Sequence, residues 1–139
     1  MTKKHLILFL STLITFTYSC KEENKENSQM KRVMAIHDEV MPKMGTIGKL
    51  VTQLDEKITN DTTSDSMAAA REDLKAAHKA MMDWMKGFGE RFDGDEILKG
   101  KALTPEKQKW LDEEESKVKE LRDQINTSIS RAQELLKNQ

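Results

Sequence analysis

The chain has little of several residue types, and each shortage narrows the range of folds open to it. Its 139 residues include one cysteine, two prolines and six glycines. A single cysteine excludes a disulfide within the chain, so stability has to come from the packing of apolar side chains. Few prolines and glycines, in a chain rich in Lys, Glu, Ala, Met and Leu, favour an all-α fold.

An excess of charge of one sign is also absent. The chain has 23 basic and 24 acidic residues, which give a formal net charge of −1, and the two signs are interspersed along the sequence. Interspersed charges argue against a nucleic-acid partner and against a basic patch that would bind a membrane surface. We therefore expect no nucleic acid among the partners of this protein.

The sequence lacks the patterns that catalysis would require. It has no glycine-rich phosphate loop and no carboxylate–histidine zinc motif, and its serines have no matched base nearby. A carboxylate-bridged di-iron site needs a Glu-x-x-His pair on each of two helices, whereas neither His37 nor His78 has Glu three residues before it. We expect a protein that is not an enzyme.

The first 19 residues have the pattern of a secretory signal. Lys3 and Lys4 precede an apolar run over residues 6–18, which is too short to cross a hydrocarbon core of roughly 30 Å as a helix. Cys20 stands where cleavage is expected, and the segment resembles a bacterial lipoprotein lipobox, in which the cysteine is lipid-modified. We expect residues 1–19 to be a lipoprotein signal peptide; an ordinary cleaved signal with an incidental cysteine is the alternative.

The residues after the cysteine indicate where such a lipoprotein would lie. Residues 21–23 read Lys-Glu-Glu, which is similar to the export signal of surface lipoproteins in the Bacteroidetes. This resemblance implies an outer-membrane lipoprotein at the cell surface, and a periplasm-facing one is the alternative. Two or more acyl chains on Cys20 would hold a folded domain firmly on the membrane. Residues 20–29 are polar and predict a flexible tether.

Apolar residues then recur at helical spacing in three stretches. The first runs from Met30 to Ile58, with Pro42 inside it, and proline in a helix interior predicts a kink. The second runs from about Asp65 to Phe92, after a polar turn.

The third helix has a clear start signal. Thr104 suits the N-cap position and Pro105 the first helical position. Three long amphipathic helices joined by short connections predict an elongated antiparallel three-helix bundle over residues 30–139. An extended coiled-coil oligomer is the competing architecture.

Methionine and histidine form a repeated pattern on the first two predicted helices. The spacing His-x3-Met-x2-Met occurs twice, as His37, Met41 and Met44 and as His78, Met82 and Met85. Offsets of four and seven place all three side chains of a triplet on one helix face. If the two helices form a hairpin, His37 lies level with the neighbourhood of Met85, and Met44 with that of His78.

The two triplets together are candidate ligands for Cu(I), with Met81 as an additional ligand. Thioether sulfur is a soft donor and neutral imidazole also suits copper. Methionine equally fills irregular cores, so the same stripe is typical of plain packing. A Met-rich face also adapts to varied partners, which would suit binding of an unfolded chain or another envelope protein. No other cofactor is expected.

Two segments connect this chain to a known group of proteins. Residues 37–44 read His-Asp-Glu-Val-Met-Pro-Lys-Met, and residues 78–85 follow the pattern His-x-x-Met-Met-x-Trp-Met. With these segments in one tether-plus-bundle layout, the chain resembles small helical lipoproteins of flavobacteria whose role is unknown. They are often labelled viral A-type inclusion protein, which reflects a generic coiled-coil composition. The resemblance implies localisation and architecture, and no activity.

Overall fold

A computed structural model describes residues 25–60 and 65–138 of the chain. These residues form five helices and no strand: α1 (Lys25–Val40), α2 (Lys43–Asn60), α3 (Asp65–Arg91), α4 (Gly94–Leu98) and α5 (Pro105–Lys137). The predicted all-α class is confirmed. The predicted signal peptide, Cys20 and the start of the tether lie outside the described residues.

The first predicted helix is interrupted at Pro42. Helix α1 ends at Val40 and α2 begins at Lys43, because proline has no backbone N–H to continue the helical hydrogen bonds. The last helical bond before the break joins Met41 N–H to the carbonyl oxygen of His37, at 2.9 Å. The predicted kink is confirmed, and it is sharp enough to separate two helices.

Helices α2, α3 and α5 form the body of the bundle, and α1 packs mainly against α5. Helix α5 contacts α1, α2 and α3; with 33 residues it is about 50 Å long. Side chains from four helices meet in one apolar core. Its fully buried members include Val33, Val40, Leu54, Ala70, Leu74, Ala77, Met81, Leu111, Val118, Ile125 and Ala132. The predicted stripes thus pack against one another within one chain.

Helix α5 begins as the sequence predicts. The Thr104 hydroxyl accepts a hydrogen bond from the backbone N–H of Lys107, at 3.2 Å, and Pro105 occupies the first turn. This cap satisfies one of the N–H groups that a helix start leaves without a partner.

Helix α4 is a short element that the sequence analysis did not predict. The Asp93 carboxylate accepts hydrogen bonds from the backbone N–H groups of Asp95 and Glu96, both at 2.9 Å. Glu96 in return accepts from Asp93 N–H at 2.8 Å, which completes a capping box. Bonding to Lys101 and to these N–H groups lowers the pKa of Asp93 to about 2. The Asp-x-x-Glu spacing of Asp93 and Glu96, which is typical of a capping box, is the sequence signal that could have predicted this helix.

The N-terminal boundary of the bundle differs from the prediction. Helix α1 begins at Lys25, so the flexible tether predicted for residues 20–29 extends too far, and residues 25–29 are helical. The physical reason is Gln29, which is only 7 % exposed. Its Nε2 donates to Asp112 Oδ1 at 2.9 Å and to Glu115 Oε2 at 2.8 Å. A polar side chain is buried here because α5 supplies its acceptors.

The same contact region continues along α5. The Oε1 of Gln29 accepts a hydrogen bond from Gln108 Nε2 at 2.7 Å, and Arg32 forms an ion pair with Glu115 at 3.3 Å. Together with Lys119 and Arg32, Gln29 lowers the pKa of Glu115 to about 2, Lys119 having the largest effect. These polar contacts fix the start of α1 against α5.

Candidate functional site

One residue from each His/Met triplet lines the same groove between α2 and α3. The groove has a volume of about 280 Å³ and is lined by Met44, Ile47, Gly48, Val51, Lys75 and His78. Met44 belongs to the first triplet and His78 to the second. Both residues thus border one groove, which agrees with the hairpin prediction, and we call this feature the α2–α3 groove.

His37 lies further along the hairpin, beside Trp84. The centroids of the two rings are 6.0 Å apart. Trp84 directly precedes Met85, and the hairpin prediction placed His37 level with the neighbourhood of Met85. Nδ1 of His37 lies 2.9 Å from Asp38 Oδ1. Because an ionised carboxylate only accepts hydrogen bonds, Nδ1–H donates; in the neutral ring the other nitrogen, Nε2, is then the acceptor or metal ligand.

The methionines of α3 differ sharply in exposure. Met81 is fully buried in the core, whereas Met82 and Met85 are each 37 % exposed. His78 is also exposed, and its offsets to Met82 and Met85 place all three on one flank of α3. Met81 therefore has a packing role, whereas His78, Met82 and Met85 lie beside the row of buried residues on α3.

The methionines of the first triplet lie at the edge of the core. Met41 and Met44 are partly buried and pack against the core cluster. Met41 is in the break between α1 and α2, where its N–H completes the last turn of α1. Met41 and Met44 are thus part of the packing, and Met44 also borders the α2–α3 groove.

A second groove, between α3 and α5, was not anticipated from the sequence. It has a volume of about 550 Å³, and its lining includes Ala80, Trp84 and Gly87 of α3 and Leu121 of α5. Trp84 stacks on Phe88 with ring centroids 4.9 Å apart. The sequence signal that could have indicated this groove is the pair of small residues, Ala80 and Gly87, about one helical turn on either side of Trp84. We call this feature the Trp84 groove.

Charged side chains line the Trp84 groove around a buried carboxylate. Glu114 is 3 % exposed, and one of its oxygens lies 2.9 Å from both Arg91 Nη1 and Lys117 Nζ. Two cations compensate the cost of burying this charge. Arg91 also lies over the ring of Trp110, 5.5 Å from its centroid. The α3–α5 contact is therefore polar at this level of the bundle.

The donor types available for a metal ion are limited. Within residues 25–60 and 65–138, no three His, Cys, Asp or Glu side chains come together as a metal site. A site on the α2–α3 side would therefore depend on methionine sulfur together with imidazole nitrogen. Among the helices that the structure describes, none combines the length and apolarity needed to cross a bilayer.

Comparison with known proteins gave no relative from which a function could be transferred. No family model matches the chain, and neither the curated proteins nor the solved structures include a significant match to it.

Proposed function

We propose that this chain is a lipid-anchored, non-enzymatic helical binding module of the bacterial envelope. The secretory pattern of residues 1–19 and the lipobox-like position of Cys20 support the anchor. A bundle of amphipathic helices on such an anchor would present its grooves to the compartment outside the cytoplasm. The outer membrane, with the bundle at the cell surface, is the location that the Lys-Glu-Glu sequence after Cys20 favours.

The ligand that we propose is Cu(I), and the observation that carries this proposal is the α2–α3 groove. Met44 and His78 come from opposite copies of the His/Met pattern, and both line this groove. One thioether and one imidazole supply a soft sulfur donor and a nitrogen donor that copper accepts. Neither residue is needed to fill the fully buried core.

The remaining triplet residues would extend the donor set along the hairpin. Met41 is three residues before Met44, and Met82 is four residues after His78. Because α2 and α3 are antiparallel, both steps lead about one helical turn in the same direction. His37 and Met85 lie a further turn along, and the contact of His37 with Trp84 fits this register. Exposed thioethers at positions 82 and 85 are accessible to an incoming ion.

His37 also has an orienting partner of the kind that metal-binding histidines use. Its Nδ1 is bonded to Asp38 at 2.9 Å, and a carboxylate in this position orients the imidazole ring. The side chain of His37 is only 16 % exposed, so Nε2 is held in one place.

A second candidate function is a structural or protein-interaction module without metal. The specific observation in its favour is the full burial of Met67 and Met81, which are 1 % and 0 % exposed. These methionines pack as core residues, and the Met-rich flank of α3 would then serve to contact an envelope protein.

One titration separates the two functions. The full chain, purified in detergent, would compete anaerobically for Cu(I) with a colorimetric chelator. In a variant, both histidines and four methionines (Met41, Met44, Met82 and Met85) are replaced by Leu. Its apparent affinity for Cu(I) should be lower by about tenfold or more. The matched control replaces the buried Met30 and Met67 by Leu, which nearly preserves volume. Equal competition by all three proteins would end the metal proposal.

The anchor has its own measurement. Mass spectrometry of the protein isolated from membranes should find the mature chain starting at Cys20, with a diacylglyceryl group on its sulfur and, in the triacylated form, a further acyl chain on its amino group. An unmodified thiol there, or an intact leader, would contradict the anchor while leaving the copper titration meaningful.

A further inference from the structure

We infer that the Trp84 groove binds a small ligand that combines an ammonium group with a carbonyl acceptor and has no carboxylate, such as an amino-acid amide or a dipeptide amide. This site is on the α3–α5 side of the bundle and is independent of the α2–α3 groove. Its volume, about 550 Å³, is within the range of pockets that hold small organic ligands.

The first argument is an unused hydrogen-bond donor. Trp84 as a whole is only 9 % exposed. Its indole Nε1–H is buried and has no hydrogen-bond partner in the described part of the chain. Buried donors are rarely left unpaired, because loss of hydration costs free energy that a partner must restore. Trp84 lines the groove, so a carbonyl oxygen of a ligand that reaches the nitrogen edge of the indole would supply the missing acceptor.

The second argument is the charge of the lining. Arg91 and Lys117 are both paired with the buried Glu114, so the cations of the groove are already engaged. The remaining charged residues of the lining are Asp83, Glu90 and Glu120, all of them acidic. Such a rim attracts an ammonium group and repels a carboxylate.

The carboxylates of this rim are not equally engaged. Asp83 has a salt bridge to Lys79, and Glu90 lies 4.0 Å from Lys86, both on the solvent side of α3. Glu120 has no ion pair with any residue that the structure describes. An incoming ammonium group would therefore meet one carboxylate without a competing cation.

The third argument is the space created by small residues. Ala80 and Gly87 flank Trp84 on α3, and a Cβ atom built on Gly87 would meet no atom within 4 Å. Leu121 supplies an apolar wall from α5. The indole ring, Leu121 and Ala80 thus offer apolar contact for the carbon atoms of a ligand whose polar groups meet the donor and the rim.

The test uses the full chain in detergent, labelled with ¹⁵N, and follows the indole N–H signals during titration with lysinamide. There are two tryptophans, and Trp110→Phe assigns the Trp84 signal. We expect a saturable shift of the Trp84 signal. Cadaverine, which has two amines and no acceptor, should bind more weakly, and N-acetylglutamate amide should not bind.

A pair of glycine variants tests the location. Gly87→Leu would place a side chain in the groove, and its affinity for lysinamide should fall about tenfold or more, equivalent to about 1.4 kcal/mol. Gly89→Leu is the matched control, since Gly89 is on the same helix with equally open space and does not line the groove. It should bind as the parent chain does.

Three results would overturn the inference. They are an unmoved Trp84 signal at saturating lysinamide, equal affinity of the two glycine variants, and binding of the glutamate amide as tight as that of lysinamide. Cadaverine that binds as well as lysinamide would equally contradict the role assigned to the Trp84 donor. None of these results bears on Cu(I) or on the anchor.

Discussion

The imidazole ring of His37 lies 6.0 Å from the indole ring of Trp84, measured between centroids. This contact joins α1 to α3 just before the break at Pro42, in addition to the packing of α1 against α5. Trp84 also stacks on Phe88, which in turn lies 4.8 Å from Phe92. A column of rings thus runs along α3 and ends in His37.

The first prediction concerns this column. Trp84→Ala should lower the free energy of unfolding by about 3–5 kcal/mol, because a large buried ring is removed and a cavity remains. Trp84→Phe should cost less, since it keeps most of the ring contacts and removes an N–H without a partner. Urea titrations followed by circular dichroism measure both. A loss for Trp84→Ala no larger than that for the half-buried Trp110→Ala would show that the column contributes little.

The second prediction concerns the start of α1. Gln29→Ala should destabilise the α1–α5 contact by about 1–3 kcal/mol, because the variant removes a buried amide that is bonded to Asp112, Glu115 and Gln108. Amide hydrogen exchange in α1 should accelerate while exchange in α3 stays slow. Gln53→Ala, at an exposed position of α2, is the control. Uniformly faster exchange throughout the bundle would contradict a local role for Gln29.

The third prediction is a pH dependence. Ion pairs and hydrogen bonds lower the pKa of Glu115 from 4.5 to about 2, Lys119 contributing most, and the pKa of Asp93 from 3.8 to about 2. A carboxyl with a lowered pKa in the folded state stabilises the fold above its unfolded pKa, and this stability is lost as the pH falls through the folded value. The melting temperature should therefore fall between about pH 4.5 and pH 2.

Two substitutions check the origin of that fall. Glu115→Gln and Asp93→Asn each remove one titrating group, so each should lower the melting temperature at pH 6 and make it less dependent on pH in the acid range. Glu106→Gln, on the exposed first turn of α5, serves as a control. Melting curves that remain as steep in pH as those of the parent chain would refute the assignment to these two carboxyls.

The fourth prediction concerns the α2–α3 groove and rests on a second pair of glycines. Gly48 lines this groove, while Gly45 is exposed elsewhere on α2, and a Cβ atom at either position would meet nothing within 4 Å. Both Gly48→Leu and Gly45→Leu should stabilise the helix by up to about 1 kcal/mol. Only Gly48→Leu should weaken competition for Cu(I), because it fills the space beside Met44 and His78. Equal competition by the two variants would place copper elsewhere.

Much of the fold could be predicted because it follows from local rules. The periodic apolar residues predicted the helices that include α2, α3 and α5. Pro42 predicted the interruption between α1 and α2, and Thr104 with Pro105 predicted the start of α5. Met44 and His78 also border one groove, which agrees with the hairpin register that the sequence predicts.

The features that could not be predicted depend on contacts between distant residues. Gln29 is polar, and its sequence neighbours read as a tether; it is buried only because Asp112 and Glu115, far along the chain, accept its hydrogen bonds. The Trp84 groove likewise exists because α3 and α5 pack with small residues opposite Leu121. Periodicity indicates which face of a helix is buried, and does not reveal where two packed faces leave space.

The break at Pro42 also determines how the molecule would respond to mechanical force. Helix α5 is continuous across it, whereas α1 and α2 make few contacts with each other. If the chain is anchored through Cys20, as proposed, tension on the anchor would load the polar contacts of Gln29 and Arg32 first. Helix α1 would then separate from the bundle before the other helices, and the proposed tether would reach further while the hairpin of α2 and α3 stays folded against α5.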